Sequence, residues 1–455
     1  MTKISTKEMT SGPLVWPIIR YTLPIIATGA LQLLFNTADL VVVGWFCGEV
    51  SVGSVGATGS LTSLIVNFFM GLSVGAGVLV AQGLGSHDDR KVYQTVHTAI
   101  PMAVICGVII TLIGVFGSGT FLRWMGTPAE NLRLATLYMQ IYFCGMVFNL
   151  LLNFGASILR AAGDTTRPML YLSVAGVVNV VLNVVFVTLF HMDVAGVALA
   201  TIISQAVSAV LIVRALMKRE DACRLKLREI GIHRKPLGRM LALGVPAGIQ
   251  SSLFSISNVI IQSSINSFGT VTLAGNTAAS NLEGYVYMVM HSFNQTVMNF
   301  AGQNTGARNY KRIERLYWVC LLMTGLIGLV LGTLVCLFGK PLLSIYGADS
   351  PGALHDGMTR LLYVCLPYFL CGMMEVATGT VRGMGISLSP MIVTVLGVCG
   401  FRVGWIFTVF ARYRSLECLF ISYPISWLVT SLAVSGIFFG VLNFRKKRAM
   451  REALA

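Results

Sequence analysis

Long uncharged apolar runs alternate with short basic intervals along the chain. No ionisable side chain occurs from Ser51 to Ser86, and none from Met240 to Leu282. A helix needs roughly 20 apolar residues to cross the hydrocarbon core of a bilayer. Sheet is not a competing reading, because the runs are too long and do not alternate with period two. Twelve spans can be placed, at roughly 21–46, 54–82, 93–117, 134–158, 169–190, 194–213, 240–267, 273–300, 316–339, 361–381, 391–411 and 420–443. Gly and Pro recur at their ends and inside them, as in transport helices whose neighbours re-satisfy freed backbone groups. The pattern predicts an all-α integral membrane protein with twelve transmembrane helices.

Composition sharpens this. Of 455 residues, 55% are hydrophobic and only 11% charged, against about 25% charged in soluble domains. A net charge of +15 could suggest nucleic acid, but the basic residues sit in short loops between apolar runs, where they orient a membrane protein. With the N-terminus inside, the inner segments hold 26 Lys/Arg, and the outer segments with their adjoining helix ends hold six: Arg123, Arg133, Lys340, Arg360, Arg412 and Arg414. This bias predicts cytoplasmic N- and C-termini. The tail Arg445-Lys446-Lys447-Arg448 can hold anionic lipid headgroups, although a stop-transfer flank explains it fully. The N-terminus is basic and then apolar like a signal peptide, but its apolar run is too long and eleven more follow, so it reads as an uncleaved first span. Most of the ten cysteines fall inside spans with no CxxC spacing, so neither a disulfide framework nor a metal site is expected.

An internal repeat divides the chain. Pro24 and Pro246 are 222 apart, as are Asn36 and Asn258. Arg160-Ala161-Ala162-Gly163 pairs with Arg382-Gly383-Met384-Gly385, and Pro168 with Pro390, at the same offset. Gln82 and Gly85 pair with Gln303 and Gly306 at 221. Six spans per repeat give both halves one orientation, a parallel repeat about an axis along the membrane normal. The expected organisation is an N-terminal lobe at 1–213, a basic cytoplasmic linker at 214–239, and a C-terminal lobe with a basic tail at 240–455. Two lobes around a central cavity, rocking against each other, would give alternating access.

Ionisable groups inside spans are costly and are functional candidates by default. Here they are Asp39, Glu283, Glu375, Arg402, His97 and His291. Asn36 lies three residues before Asp39, on the same helix face. Asp39, Asn183 and Thr201 each lie about seven residues from the outer end of their span, roughly 10 Å deep at 1.5 Å per residue, with Asn179 one turn deeper. One carboxylate, two amides and a hydroxyl at one level can bind a hard cation through oxygen. They equally suit a protonatable carboxylate, or an interhelical hydrogen-bond network that carries no traffic. Glu283 and Arg402 share a depth about ten residues from the outer face, which predicts an ion pair. Glu375 lies deeper, and His291 reads as a satisfied core residue. Met and aromatic residues suit either a cavity for greasy cations or lipid-facing packing. No Walker motif, GxSxG or HExxH is present, and no histidine pair has metal-ligand spacing, so no enzyme is expected.

The anchors resemble the MATE (multidrug and toxic compound extrusion) family, within a wider group that includes lipid and polysaccharide flippases. They are Asn36-Thr37-Ala38-Asp39, then Arg160-Ala161-Ala162-Gly163-Asp164 leading to Pro168, and Val194-Ala195-Gly196-Val197-Ala198-Leu199-Ala200-Thr201 with Gln205. In the second half they are Gly302-Gln303-Asn304-Thr305-Gly306-Ala307, Glu375 with Val381-Arg382-Gly383-Met384-Gly385, and Pro424 with Trp427. The resemblance implies a V-shaped two-lobed bundle in the bacterial inner (plasma) membrane. It implies a monomeric antiporter that uses H+ or Na+ and no cofactor to export drugs and organic cations. Asp39 would be the coupling acid, with Asn179 and Thr201 around it. Many members carry an acid where this chain has Asn183. A flippase for lipid-linked or polysaccharide precursors is the alternative, disfavoured by spans holding one arginine and no lysine. A channel is disfavoured by the repeat.

Overall fold

A computed structural model describes residues 4–454. Met1 to Lys3 and Ala455, which include one cytoplasmic charge of the expected count, lie outside the described residues. All regular elements among the described residues are helical. We label the spanning helices α1 (Val15–Phe46), α2 (Glu49–Gly85), α3 (Asp89–Trp124), α4 (Ala129–Cys144 with Met146–Ala161), α5 (Thr166–Thr188) and α6 (Asp193–Met217). In the second half they are α7 (Arg234–Asn266), α8 (Thr270–Gly306), α9 (Tyr310–Leu337), α10 (Pro351–Gly383), α11 (Leu388–Phe410) and α12 (Leu416–Glu452). Each expected span finds its helix. Ten are long and apolar enough to cross a membrane, and α4 qualifies as a pair bent by 48° at Gly145. The remaining helix, α8, is 37 residues long. Its interior is polar, with Asn276, Asn294, Asn299, Gln303 and Asn304 all buried. Outside, Phe116, Trp45 and Phe407 are more than 70% exposed. A protein with apolar residues both inside and on its flanks is built for lipid.

The breaks between helices repeat as faithfully as the spans. Left-handed backbone occurs at Gly48, His87, Gly126 and Gly163, and again at Gly269, Arg308, Gly347 and Gly385. These pairs are 221 or 222 residues apart. Asp88 caps α3 by accepting from the Lys91 N–H at 2.9 Å, and Asn309 caps α9 by accepting from the Arg312 N–H at 3.2 Å. Short polar caps satisfy donors that a helix start leaves free. The two copies part company in α10 and α11, where π-helical turns occur at Leu361–Cys365, Val395–Gly400 and Ile406–Phe410.

Packing divides the chain into two units. The first holds Met1–Thr6 and Leu23–Gly248, the second Lys7–Thr22 and Ile249–Ala455. Sequence order alone would put Lys7–Thr22 with the first repeat. Instead the leading segment of α7 packs in the first unit and that of α1 in the second. In the first unit a glycine seam joins α7 to α2. A Cβ at Gly248 would lie 2.2 Å from the Phe68 carbonyl, and one at Gly71 would lie 2.3 Å from the Gly248 nitrogen. Gly75 and Gly244 continue the seam one turn along. Small residues spaced by four let membrane helices approach to backbone contact. In the second unit the same job falls to larger groups. Thr22, the repeat mate of Gly244, meets Thr296 hydroxyl to hydroxyl at 2.9 Å, and Tyr21 packs edge-on against Phe300. Arg312 anchors the chain before α1 by donating to the carbonyls of Met9, Ser11 and Gly12. Gly248→Val must therefore push α2 and α7 apart. We expect a loss of about 1–3 kcal/mol, read as a lowered thermal midpoint in detergent. Gly436→Val, with no atom near its added side chain, should melt as the parent does.

The basic linker is docked rather than loose. His97 on α3 accepts the Lys226 backbone N–H through Nε2 at 3.1 Å, and its Nδ1 faces the Tyr93 carbonyl at 2.9 Å. The neutral tautomer with the proton on Nδ1 satisfies both bonds. The His233 N–H donates to Thr98 at 3.1 Å, and Tyr93 donates to Glu229. His97 thus holds the linker in place.

Candidate functional site

In the first unit, close approach of α1 and α5 sets the site. The Phe35 ring lies where a Cβ on Gly176 would be, 1.8 Å away. One turn after Phe35 comes Asp39, and two turns after Gly176 comes Asn183. The Asn183 amide nitrogen donates to the Asp39 carboxylate, and to the Asn179 carbonyl oxygen at 3.3 Å. Asn179 in turn donates to the Thr201 hydroxyl on α6 at 3.4 Å. Asn179 and Asn183 are buried. Four of the five residues expected at this site are joined in one chain of hydrogen bonds. Asn36 is not among them, because its side chain is exposed. A step of three residues rotates a side chain by about 60° from its neighbour's direction, enough to carry it off the shared face.

Sequence reasoning missed two tyrosines. Tyr138 and Tyr142 on α4 stack at 6.1 Å and lie within electrostatic reach of Asp39, and Tyr142 also meets Gln205. One turn beyond Asp39 and Asn183, and one turn before Thr201, Val42, Val43, Val187 and Val197 form a buried apolar cluster. The polar site is therefore sealed on that side by branched aliphatic groups. Among the described residues no Lys, Arg or His pairs with Asp39, and the buried Asn183 carbonyl oxygen accepts no hydrogen bond. A lone carboxylate beside an orphan amide oxygen is an acceptor set for a proton or a hard cation. No cluster of three His, Cys, Asp or Glu that could hold a metal ion occurs among the described residues.

The second unit is arranged differently. Glu283 pairs with Arg360, which donates through Nε at 3.0 Å and Nη2 at 2.7 Å to one carboxylate oxygen. Arg360 also donates to Asn276. This corrects the expected pairing of Glu283 with Arg402. It also moves Arg360, counted with the outer segments and helix ends, to the buried interior. The cause is helix register. Gly275 on α8 packs directly on the backbone of Ala353, and Thr272 donates to Asp356 at 2.6 Å. One turn further along both helices, Asn276 and Arg360 meet. Arg402 instead stacks on Tyr423 at 3.9 Å and Trp427 at 5.3 Å, and its Nε donates to Ser426 at 3.0 Å. Glu375 faces His291 at 3.4 Å. His291 is half-exposed, with its ring along Tyr287, and is not a core residue.

Known proteins share this arrangement of chain. The MatE family model matches twice, over residues 24–185 and 246–407, with starts 222 apart as the repeat requires. The probable multidrug resistance protein YoeA of Bacillus subtilis (strain 168) is 27% identical over 451 residues, covering 97% of this chain and 96% of that protein. The probable multidrug resistance protein NorM of Thermotoga maritima is 25% identical, covering 88% of this chain and 87% of that protein. A crystal structure of MATE in the bent conformation matches with a TM-score of 0.90 at 22% identity, over 99% of this chain and 100% of that chain. MATE in the straight conformation matches at 0.90 and 23%, over 98% and 100%. A family model that recurs on both repeats, on a twelve-helix bundle of the same fold, makes this chain a member of the MatE family: a membrane transporter and not an enzyme.

Proposed function

We propose that the chain is a secondary exporter of small organic cations and related drugs, with Asp39 carrying the coupling ion, a proton or a sodium ion. The observation that supports this is the isolation of Asp39. It sits in an apolar bundle with an amide partner and no cationic one. Taking up a proton or a cation removes an uncompensated charge from a poorly solvating interior. A cationic substrate is attracted to the unit while Asp39 is ionised and released when it is neutralised. Antiport is then electrostatic competition for one charge. The stacked Tyr138 and Tyr142 add aromatic faces for such a substrate. The names of the relatives, multidrug resistance proteins, favour the same substrate class. With Arg360 removed from the outer count the basic bias becomes 26 to five, which supports cytoplasmic termini in a bacterial inner membrane. The protein would act as a monomer, in contact with membrane lipid and without a cofactor.

The test uses everted vesicles carrying the protein and a fluorescent organic cation, with a proton gradient and then a sodium gradient imposed. Accumulation is expected under at least one gradient, and none under either would overturn the reading. A flippase for lipid-linked precursors is the second reading, favoured by the buried Arg360 and Arg402. Glu283 already neutralises Arg360, however, which leaves a single unpaired cation for an anionic headgroup.

A further inference from the structure

Arg402 is a buried guanidinium of the second unit that, among the described residues, forms no ion pair; only two aromatic faces and one hydroxyl meet it. It is only 5% exposed, and its Nη2 is buried with no hydrogen-bond partner. Its single hydrogen bond is to a neutral hydroxyl, Ser426. Glu283 is engaged with Arg360, and Glu375 faces His291 at 3.4 Å and lies in the field of Arg382. A guanidinium does not lose its proton in a protein, so this charge cannot be relieved as a lysine's would be. An unpaired buried charge is among the most costly things a fold can hold.

The surroundings are shaped for this residue. Arg402 lies between two π-helical turns, Val395–Gly400 and Ile406–Phe410. Such insertions recur at functional sites because they re-aim side chains and loosen the backbone ladder. The repeat sharpens the contrast. Adding 222 to the first-unit site carries Asp39 to Ile261, Thr201 to Tyr423 and Gln205 to Trp427. Where the first repeat has an acid with a hydroxyl and an amide, the second has an aliphatic residue and the two rings that receive Arg402. On the same scaffold the first unit's site is built on an acid and this one on a guanidinium.

We propose that Arg402 is the centre of a binding site for a compact monovalent anion. The anionic group can come from solution as a halide, or from a transported molecule as its carboxylate. The Nη2 edge supplies the donor, and Tyr423 and Trp427 hold the guanidinium plane in place.

The purified protein tests this without any transport assay. Its thermal midpoint is measured while chloride replaces a bulky sulfonate at constant ionic strength, and in parallel while acetate does so. A saturable rise of several degrees that is absent in Arg402→Gln supports the site. If chloride acts, the source is a halide, and if only acetate acts, it is a carboxylate. No rise with either anion, or the same rise in Arg402→Gln, overturns it. Should Arg402→Gln fail to fold, iodide quenching of tryptophan fluorescence decides. A saturable component present in the parent and lost in Trp427→Phe supports the site, and purely linear quenching in both overturns it.

Discussion

Asp39→Asn is expected to bring gradient-driven export to background while leaving the protein folded. Asparagine keeps the shape of the side chain, and its carbonyl oxygen can still accept the Asn183 N–H that now reaches the carboxylate. What it removes is the only group of that network able to change charge. Asn179, Asn183 and Thr201 are neutral and stay neutral, so no other member of that network can balance a cation's charge. The thermal midpoint should be unchanged or higher, because an uncompensated charge has left an apolar bundle. Binding of a neutral substrate should survive. Liposomes carrying the purified variant, given a proton gradient and then a sodium gradient, supply the measurement beside a thermal melt. Export at the parental rate under both gradients would remove Asp39 from the mechanism and turn attention to Glu375, which faces His291 at 3.4 Å.

Arg360→Met should be the most damaging single change in the second unit. The substitution leaves Glu283, whose side chain is only 12% exposed, without its guanidinium and strips Asn276 of its donor. Breaking a buried pair from one side typically costs about 3–5 kcal/mol, whereas replacing both partners by apolar groups is often neutral. The double variant Arg360→Met with Glu283→Leu should therefore recover most of the lost stability. The cation–π contacts of Arg360 with Phe420 and Tyr423 would stay lost, so recovery should be incomplete. A double-mutant cycle on thermal midpoints and detergent-extracted yield reads both effects. A single Arg360→Met variant that melts with the parent would show that the pair is not structural.

Depth was legible in the sequence and direction was not. Counting residues from a span end brought Asp39, Asn183 and Thr201 to one level because loops mark the ends of α1, α5 and α6 clearly. The same count failed at Arg360. There the apolar run begins near residue 361, but the helix begins at Pro351 behind a Ser350 cap that accepts from Ala353 at 3.2 Å. That Ser-Pro start was readable by capping chemistry, and hydropathy hid it. Rotation about a helix axis left no trace in either signal. Asn36 was placed beside Asp39 by spacing and turned out exposed, while Tyr138 and Tyr142 look like ordinary apolar positions until α4 is packed. His97 looked like an intramembrane candidate because the linker that occupies it is distant in sequence.

The exchange of leading segments between the units bears on how the chain can be made. A polypeptide leaves the ribosome from its N-terminus, and domains generally fold in that order. Here the first unit cannot be complete until Gly248 has been synthesised, since the glycine seam of α2 needs α7. The segment Lys7–Thr22 waits longer. Its carbonyls have no guanidinium to receive them until Arg312 has been added, and Thr22 has no hydroxyl to meet until Thr296 has been added. The earliest part of the chain is thus among the last to find its place. Neither half can mature as an independent insertion product, and a nascent chain stalled in the linker would expose a bare glycine face on α2 to lipid.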